Sequence, residues 1–503
     1  MQTFTILNSG TNYDHNSGDI IAQLARKVLG EGPLTREAPE AHGWMLNAGP
    51  GSAAEPGFTS PVPKEQQKLG VTRESYGFAE ATKLPKDFWL SGVAASLGSK
   101  GKHLIGALRG YGWEQNVVRS VIRVRERVME VGPFGVPPKR VNMVGWSRGG
   151  VTCAMIAWAL HNYKVDGEDP KIAQIINNLE VNIFAFDPVP GGLGAFGALD
   201  LIFNGQYYDA SKVTLPPNVK DYVQLIAQHD NRPIFRPTLM TAPKGSQTHV
   251  TVYVMPGAHS SAVENPKGGA ADTPVVTIAK HLVQEFLTKH ETKRAPDLGW
   301  KKSDGELLAL YGTVLATLPT YKKLAGAGTD RGLQYADGHA RGRLKDHPLV
   351  INRHHEELLA KNYRGVCVFL NKCLDQGWGS LSQADALGLR SCQAAFDYYD
   401  ELVDGFMTRV ALGKRIPLRT FVNRAIAIYN GKAGFLGPSA STKNALAQLK
   451  TLSDLPLKLA VEHYLGTAPT PHNVFGARLT TDSPLRKPLA EQFEAWKREH
   501  TTT

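Results

Sequence analysis

The stretch VNMVGWSRGGVTCAMIAWAL, residues 141–160, decides the fold. A β-branched apolar run leads into a small-residue turn that presents Ser147, and an apolar segment with helical spacing follows at once. Strand, turn and helix in this order predict a G-x-S-x-G elbow, in which Gly145 and Gly149 let the backbone bend sharply and lift the serine above the edge of a sheet. The alternative is an ordinary turn serine that caps a helix.

Apolar runs and helical patterns alternate on both sides of this elbow. Helical patterns occupy residues 18–30 and 114–130. Runs rich in β-branched residues occupy 3–7, 140–146, 180–187, 221–228 and 249–257. This alternation predicts an α/β fold with a mostly parallel sheet flanked by helices.

The pattern changes near residue 295, where strand signals nearly vanish. Apolar residues recur at three- and four-residue intervals in 305–318, 355–374, 393–412 and 419–430. Because 503 residues exceed a single ordinary core, we expect an α/β domain at 1–294 followed by an α-helical accessory region at 295–503.

Two segments of the α/β domain, 30–105 and 188–218, are too long for simple connections, and we expect them to be insertions. Their aromatic side chains either wall a pocket or pack the insertions onto the domain. These aromatic residues are Trp44, Phe58, Phe88, Trp89, Phe196, Phe203, Tyr207 and Tyr208.

Composition and charge narrow the class of protein. A hydrophobic fraction of 42% is typical of soluble globular proteins. No run approaches the roughly 18 apolar residues of a membrane span, and the N-terminus lacks the pattern of a secretory signal, so we expect synthesis in the cytoplasm without a cleaved signal. The net charge of +11 would suit a polyanion or an anionic membrane surface, but the basic residues are scattered along the chain, which favours an ordinary solvated surface. The four cysteines have no CxxC spacing and predict buried thiols.

A serine of ordinary acidity is a poor nucleophile, so a reactive Ser147 needs a histidine base and an acid that orients it. His259 is the leading base because it lies in a glycine-containing loop directly after an apolar run; the alternative is a surface-loop histidine. Asp187 and Asp230 each close an apolar run, and Asp187 is favoured because a charge ending a wholly apolar strand is costly unless it is paired. The N–H of Arg148, at the start of the following helix, is expected to face a developing oxyanion.

Two further motifs are weaker. GGLGAFG at 191–197 satisfies the dinucleotide pattern G-x-G-x-x-G, but Pro188 and Pro190 interrupt the turn. RHHEELL at 353–359 lacks the second histidine four residues on that a zinc-binding helix requires. No phosphate-binding G-x-x-x-x-G-K-[ST] motif occurs, and we expect neither a cofactor nor a metal ion.

Several landmarks occur in the order of a known family. They are ILNSGTN (6–12), LNAGPGS (46–52), GALRGYGWEQNVVRSV (106–121), NMVGWSRGG (142–150), FAFDPVPGGLG (184–194), AQHDNRPIFRPT (227–238) and MPGAHSSAV (255–263). With these landmarks, residues 1–290 resemble the α/β-hydrolase domain of the type VI secretion lipase-effector family, whose bacterial members include phospholipases. The chain departs from the family after the histidine, where Ser260, Ser261 and Ala262 replace an aspartate and a glycine run.

The resemblance implies Ser147, Asp187 and His259 as a catalytic triad. It also implies that Gly10 or Thr11, on the first loop, supplies a second oxyanion N–H. The implied activity is that of a serine hydrolase that cleaves acyl esters, as a lipase or phospholipase acting on membrane glycerophospholipids and delivered as a secreted bacterial effector.

Two alternatives remain beside this hypothesis. One is a deacylase or peptidase directed at proteins or thioesters, and the other is an inactive hydrolase-fold module for binding or delivery. The expected partners are a lipid or acyl-ester substrate, an anionic membrane contacted peripherally, and a secretion-apparatus, chaperone or immunity protein bound through 295–503.

Overall fold

The structure is a computed structural model in two compact units, residues 1–301 with 322–347, and residues 302–321 with 348–503. The residues that it describes are 3–11, 13–29, 43–49, 113–130, 136–165, 168–190, 214–230, 232, 235–265, 271–324, 331–336, 340–344, 347, 349–361 and 480–484.

A six-stranded sheet lies at the centre of the first unit, with the strand order β2-β1-β3-β4-β5-β6. Every neighbouring pair in it is parallel. The carboxyl ends of the six strands therefore meet at one edge of the sheet. The strands are β1 (Thr3–Asn8), β2 (Trp44–Asn47), β3 (Arg140–Trp146), β4 (Glu180–Phe186), β5 (Val219–Ala227) and β6 (His249–Met255).

Helices cover this sheet. They are α1 (Ile20–Leu29), α2 (Trp113–Met129), α3 (Arg148–His161), α4 (Pro170–Asn177) and α5 (Pro274–Lys289). Strands β1, β3 and β4 are buried along almost their whole length, as expected for a parallel sheet covered on both faces. The predicted fold, a mostly parallel sheet flanked by helices with an α/β-hydrolase-like arrangement, is confirmed.

The ends and faces of two helices follow from the sequence. The carboxylate of Asp19 accepts hydrogen bonds from the backbone N–H groups of Ile21 and Ala22 and so caps α1. Four valines that recur at three- and four-residue intervals along α2 are all buried, and they are Val117, Val121, Val124 and Val128. Cys153, on α3, is a buried thiol, as predicted; the other three cysteines lie outside the described residues.

Strand β2 lies inside the segment that we expected to be an insertion. It pairs with β1, and four residues are too few to reveal a strand period in the sequence. Trp44 is fully buried, and its indole N–H donates to the backbone carbonyl of Lys293 at 3.1 Å. The interpretation of Trp44 as an insertion aromatic is therefore wrong. The other seven aromatic residues named in the sequence analysis lie outside the described residues.

Beyond residue 294 the chain is not purely helical. An antiparallel pair of strands, β7 (Gly332–Ala336) and β8 (Ala340–Arg343), belongs to the first unit. Its sequence is short and rich in glycine and charge, so it carries no alternating apolar pattern. The division into units consequently differs from the boundary expected at 294.

Helices account for the remaining described elements after the sheet. The helix predicted at 305–318 is confirmed as α6 (Asp304–Ala316), and α7 (Leu318–Leu324) follows it. The prediction at 355–374 meets α8 (Arg353–Lys361) over its first residues. The remainder of that prediction, and those at 393–412 and 419–430, lie outside the described residues. Among the helices that are described, none combines the length and apolar character required to cross a bilayer.

Candidate active site

Ser147 occupies a tight turn between β3 and α3. Its backbone has φ 56° and ψ −123°, a conformation that residues other than glycine rarely adopt. A methyl group on Gly145 would lie 2.3 Å from the carbonyl oxygen of Gly149, and one on Gly149 would lie 2.2 Å from that of Asn8. Both glycines are therefore required by close backbone approach. Because the Ser147 side chain makes no capping hydrogen bond, the alternative of a helix-capping serine is wrong.

The structure brings Ser147, His259 and Asp187 together at the carboxyl edge of the sheet. The Oγ of Ser147 lies 2.9 Å from Nε2 of His259, and Nδ1 of His259 lies 2.5 Å from Oδ2 of Asp187. All three residues are buried, with at most 5% of their surface exposed. Hydrogen bonds shielded in this way are stronger than those in water. The arrangement is a continuous chain from hydroxyl to imidazole to carboxylate.

Four donors surround the carboxylate of Asp187. Oδ1 accepts from the N–H of Ala227 at 3.1 Å and from Nη1 of Arg331 at 2.7 Å. Oδ2 accepts from Nδ1 of His259 and from Nη2 of Arg331 at 2.7 Å. Burial alone would raise the pKa of Asp187, but the charge of Arg331 and the hydrogen bond from His259 outweigh it and hold this pKa below its ordinary value. Asp187 is therefore ionised at neutral pH.

Asp230, the alternative acid, has a different position. Its carboxylate binds the guanidinium of Arg232, and its Oδ2 accepts the backbone N–H of His259 at 2.9 Å. Burial would raise the pKa of Asp230, but the hydrogen bonds from Arg232 and His259 lower it. Asp230 thus holds the backbone of the histidine loop, whereas Asp187 contacts the imidazole.

Two aromatic rings flank the imidazole of His259. The Phe235 ring centroid lies 4.7 Å from it and the Trp146 centroid 5.6 Å, each tilted by 32°. The guanidinium of Arg232 lies 4.1 Å from the Phe235 centroid. The rings limit rotation of the imidazole and exclude water from it.

The first loop, which follows β1, packs on the serine turn. The guanidinium of Arg148 donates to Oγ1 of Thr11 at 3.2 Å. A methyl group on Gly10 would lie 2.6 Å from the ring of Trp146, so this contact needs glycine. Burial lowers the pKa of Arg148 to about 10, and the side chain remains charged at neutral pH. Gly10 and Thr11 therefore contact Trp146 and Arg148, the two neighbours of Ser147 in the chain.

The sequence did not indicate Arg331 as part of this site. It is fully buried and pairs with Asp187, 144 residues earlier in the chain. It directly precedes β7, in a segment that the sequence predicted to be helical. A lone arginine in a polar segment carries no signal that distinguishes it from a surface residue.

Metal and cofactor sites were expected to be absent. Within the described part of the chain, no group of three or more His, Cys, Asp and Glu side chains is arranged to hold a metal ion. The RHHEELL segment forms α8 and the residue that precedes it is Asn352. The GGLGAFG segment lies outside the described residues.

Comparisons with known proteins give distant likenesses. No family model matches the chain, and no curated protein matches its sequence. A crystal structure of an uncharacterized protein from Pseudomonas aeruginosa is 13% identical, with a TM-score of 0.31, over all of this chain and 68% of that one. A dienelactone hydrolase from Anabaena variabilis is 13% identical, with a TM-score of 0.22, over 57% of this chain and 86% of that one. Likenesses at this level assign no activity to the chain.

Proposed function

We propose that this protein is a serine hydrolase that cleaves acyl esters, with Ser147 as nucleophile, His259 as general base and Asp187 as the acid. The observation that carries the proposal is the hydrogen-bonded chain from Ser147 through His259 to Asp187 on a strained strand-to-helix turn. A hydroxyl bonded to an imidazole that is itself oriented by a carboxylate is the arrangement that activates a serine.

The proposed reaction has two steps. Oγ of Ser147 attacks the acyl carbonyl carbon while its proton passes to Nε2 of His259. The carbon–oxygen bond to the alcohol then breaks, and His259 returns the proton to the departing oxygen. In the second step water, deprotonated by His259, attacks the acyl carbon; the bond to Oγ of Ser147 breaks, the carboxylic acid leaves, and His259 returns the proton to Oγ. Asp187 stabilises the charged imidazole in both steps.

Backbone N–H groups are proposed to bind the oxyanion. Arg148 is the first residue of α3, so its N–H belongs to the positive end of the helix dipole. The second donor is proposed to come from Gly10 or Thr11, which the contacts of Trp146 and Arg148 hold beside the turn. Donors fixed before the reaction are effective because they need no reorganisation in the transition state.

The proposed substrate class is a membrane glycerophospholipid, and the proposed setting is a bacterial effector made in the cytoplasm and secreted into a target cell. The resemblance of residues 1–290 to type VI secretion lipase effectors supports both. The net charge of +11 also favours an anionic lipid surface, where each basic residue held close contributes about 1 kcal/mol. Residues 295–503 are proposed to bind a secretion-apparatus, chaperone or immunity protein.

Hydrolysis assays test this proposal with the full-length protein and its Ser147→Ala variant. The substrates are a p-nitrophenyl ester series, phosphatidylglycerol vesicles, and acyl-protein or acyl-thioester substrates. We expect hydrolysis of esters and vesicle lipids, lost in the variant by about 10⁴-fold or more. Turnover confined to acyl-proteins or thioesters would replace the lipase proposal with a deacylase or peptidase. No serine-dependent turnover of any of them would favour a binding or delivery module.

A further inference from the structure

We propose that Arg331 is a positioning residue of the catalytic triad, which fixes the carboxylate of Asp187 and limits how strongly it stabilises the protonated form of His259. This inference rests on the proposed function. It concerns a side chain outside the three residues that a serine hydrolase requires, brought to the site by the β7–β8 hairpin.

Arg331 contacts both carboxylate oxygens of Asp187 and two backbone carbonyls nearby. Its two terminal nitrogens each donate to one oxygen of Asp187 at 2.7 Å, which is the two-pronged geometry that only arginine provides. The same nitrogens also donate to the carbonyl of Ala227, at the end of β5, and to the carbonyl of Phe235 at 2.6 Å. Phe235 in turn contacts the imidazole of His259. The guanidinium of Arg331 therefore links Asp187, the end of β5 and the backbone of Phe235, whose ring lies beside His259.

Stability alone gives a poor account of this arrangement. Removing a guanidinium and a carboxylate from water costs several kcal/mol for each ion, and apolar replacements of buried pairs are often equally stable. Arg331 is fully buried and Asp187 is 2% exposed, so the cost of desolvation applies to both. Asp187 also has a positive φ of 40°, an unfavourable backbone conformation that the surrounding contacts must maintain. A costly pair on a strained residue beside a base and a nucleophile points to function.

The charge of Arg331 has a predictable effect on the base. A carboxylate in contact with an imidazole stabilises the imidazolium. Here the positive guanidinium contacts the same carboxylate and opposes that effect. Arg331 should therefore weaken the stabilisation of the imidazolium that Asp187 provides. The two hydrogen bonds from the guanidinium of Arg331 should separately keep the carboxylate of Asp187 oriented towards Nδ1 of His259.

The hairpin supplies Arg331 at a fixed place. The carbonyl of Arg331 accepts the backbone N–H of Leu344 at 2.8 Å, and the next residue, Gly332, pairs with Arg343 across the hairpin. A methyl group on Gly332 would lie 3.0 Å from Nε of Arg236, so the small residue lets the hairpin approach this side chain closely. The backbone of Arg331 and of the residue that follows it is thus held in register.

Two substitutions separate charge from geometry. Arg331→Met removes the charge and the two-pronged hydrogen bonds to Asp187. Arg331→Lys keeps a positive charge and loses the two-pronged geometry. The matched control is Arg123→Met, which breaks the buried pair of Arg123 and Glu126 on α2 and leaves Asp187 untouched. The measurement is the rate of labelling by a fluorophosphonate probe from pH 5 to pH 9, on full-length proteins whose folding is checked by circular dichroism.

The expected results differ among the variants. Arg331→Met should label on the order of tenfold to a hundredfold more slowly, as found when a residue that orients a reacting group is lost. The acidic limb of its pH–rate profile should move to higher pH. Arg331→Lys should also react slowly with the probe, but the acidic limb of its pH–rate profile should stay where it is in the wild type. Arg123→Met should lose stability and keep both the wild-type rate and the wild-type limb.

A second readout does not depend on activity. In ¹⁵N-histidine-labelled protein, the Nδ1 proton of His259 should give a downfield resonance, assigned by its loss in His259→Gln. That resonance should shift in Arg331→Met and stay in place in Arg123→Met. Failure of the fluorophosphonate probe to react with the wild-type protein would overturn the proposed hydrolase function. The shift of the His259 resonance would still test the role of Arg331. Wild-type labelling together with an Arg331→Met variant of unchanged rate, limb and resonance would overturn the positioning role alone.

Discussion

The two edges of the central sheet each hold an aspartate bound to histidine and to a cation, yet the two clusters differ in kind. At the carboxyl edge, Asp187 contacts His259 and Arg331. At the amino edge, Asp221, near the start of β5, contacts His290 at 2.8 Å and Lys289 at 2.6 Å. An aspartate, a histidine and a basic residue therefore cluster at both edges of the sheet.

The nucleophile and the backbone conformation separate the two clusters. The aspartate and the histidine that it contacts are buried in both clusters, and the side chain of Arg331 is 0% exposed. In the amino-edge cluster, the side chain of Lys289 is 62% exposed, so its ion pair with Asp221 lies partly in solvent. Only the carboxyl-edge cluster includes a serine hydroxyl on a strained turn. The comparison teaches that a buried Asp–His pair becomes a candidate for catalysis through the nucleophile beside it.

The largest expected effect comes from neutralising the two aspartates separately. Asp187→Asn should lower ester hydrolysis by about 10⁴-fold, because an amide favours the wrong tautomer of the imidazole. Asp221→Asn should leave hydrolysis within about twofold of wild type, since it lies at the opposite edge. Steady-state rates on a p-nitrophenyl ester measure both. Equal losses of hydrolysis in the two variants would show that the two clusters do not differ in their role in the reaction.

A smaller effect is expected from crowding the serine turn. In Gly149→Ala the new methyl group would meet the backbone carbonyl of Asn8 at 2.2 Å, so the first loop must move away from the turn. Overpacking of this kind costs about 1–3 kcal/mol of unfolding free energy, and we expect hydrolysis to fall about tenfold or more as the oxyanion donors separate. Thermal unfolding and hydrolysis rates measure the two effects.

Gly18→Ala is the matched control for this variant. Its methyl group would meet nothing within 4 Å, and it should behave as wild type in both assays. Full activity in Gly149→Ala would show that the close approach of the two loops is not needed for the reaction.

The smallest expected effect is a pH-dependent change in stability at the amino edge. Burial would raise the pKa of Asp221, but hydrogen bonds from His290, Lys289 and His249 lower it below its ordinary value. A lowered pKa in the folded state contributes stability at neutral pH, which is lost as the pH falls from about 4 through the lower folded value. Asp221→Asn should therefore be about 1 kcal/mol less stable at pH 7.

The comparison of wild type with Asp221→Asn at two pH values checks this sign. Their difference in unfolding free energy should shrink when denaturation is measured at pH 3 or below. A difference that grows on acidification would mean that the carboxylate is not stabilised by its partners in the folded state.

The sequence predicted the parts of this site that end strands. Ser147, Asp187 and His259 each follow an apolar run, and parallel strands bring their carboxyl ends to one edge. The sequence also favoured Asp187 over Asp230 through the cost of an unpaired charge, and the structure places Asp187, not Asp230, on the imidazole. What a local pattern could describe was therefore predictable.

The parts that the sequence missed depend on contacts distant in the chain. Strand β2 gains its partner from β1 and is too short to show a period. Arg331 is buried only because the hairpin brings it to Asp187; nothing near it in the sequence is apolar enough to predict burial. Phe235, which flanks the imidazole, lies in a loop without any pattern.

The most direct test of the central claim is to map where a fluorophosphonate reacts. Wild-type protein, Ser147→Ala and His259→Ala are each treated with the probe, and the modified peptide is identified by mass spectrometry. We predict one adduct on Ser147 in the wild-type protein, none in Ser147→Ala, and labelling slowed by at least about a thousandfold in His259→Ala. Rapid labelling of Ser147 without His259, or an adduct on a different residue, would contradict the account.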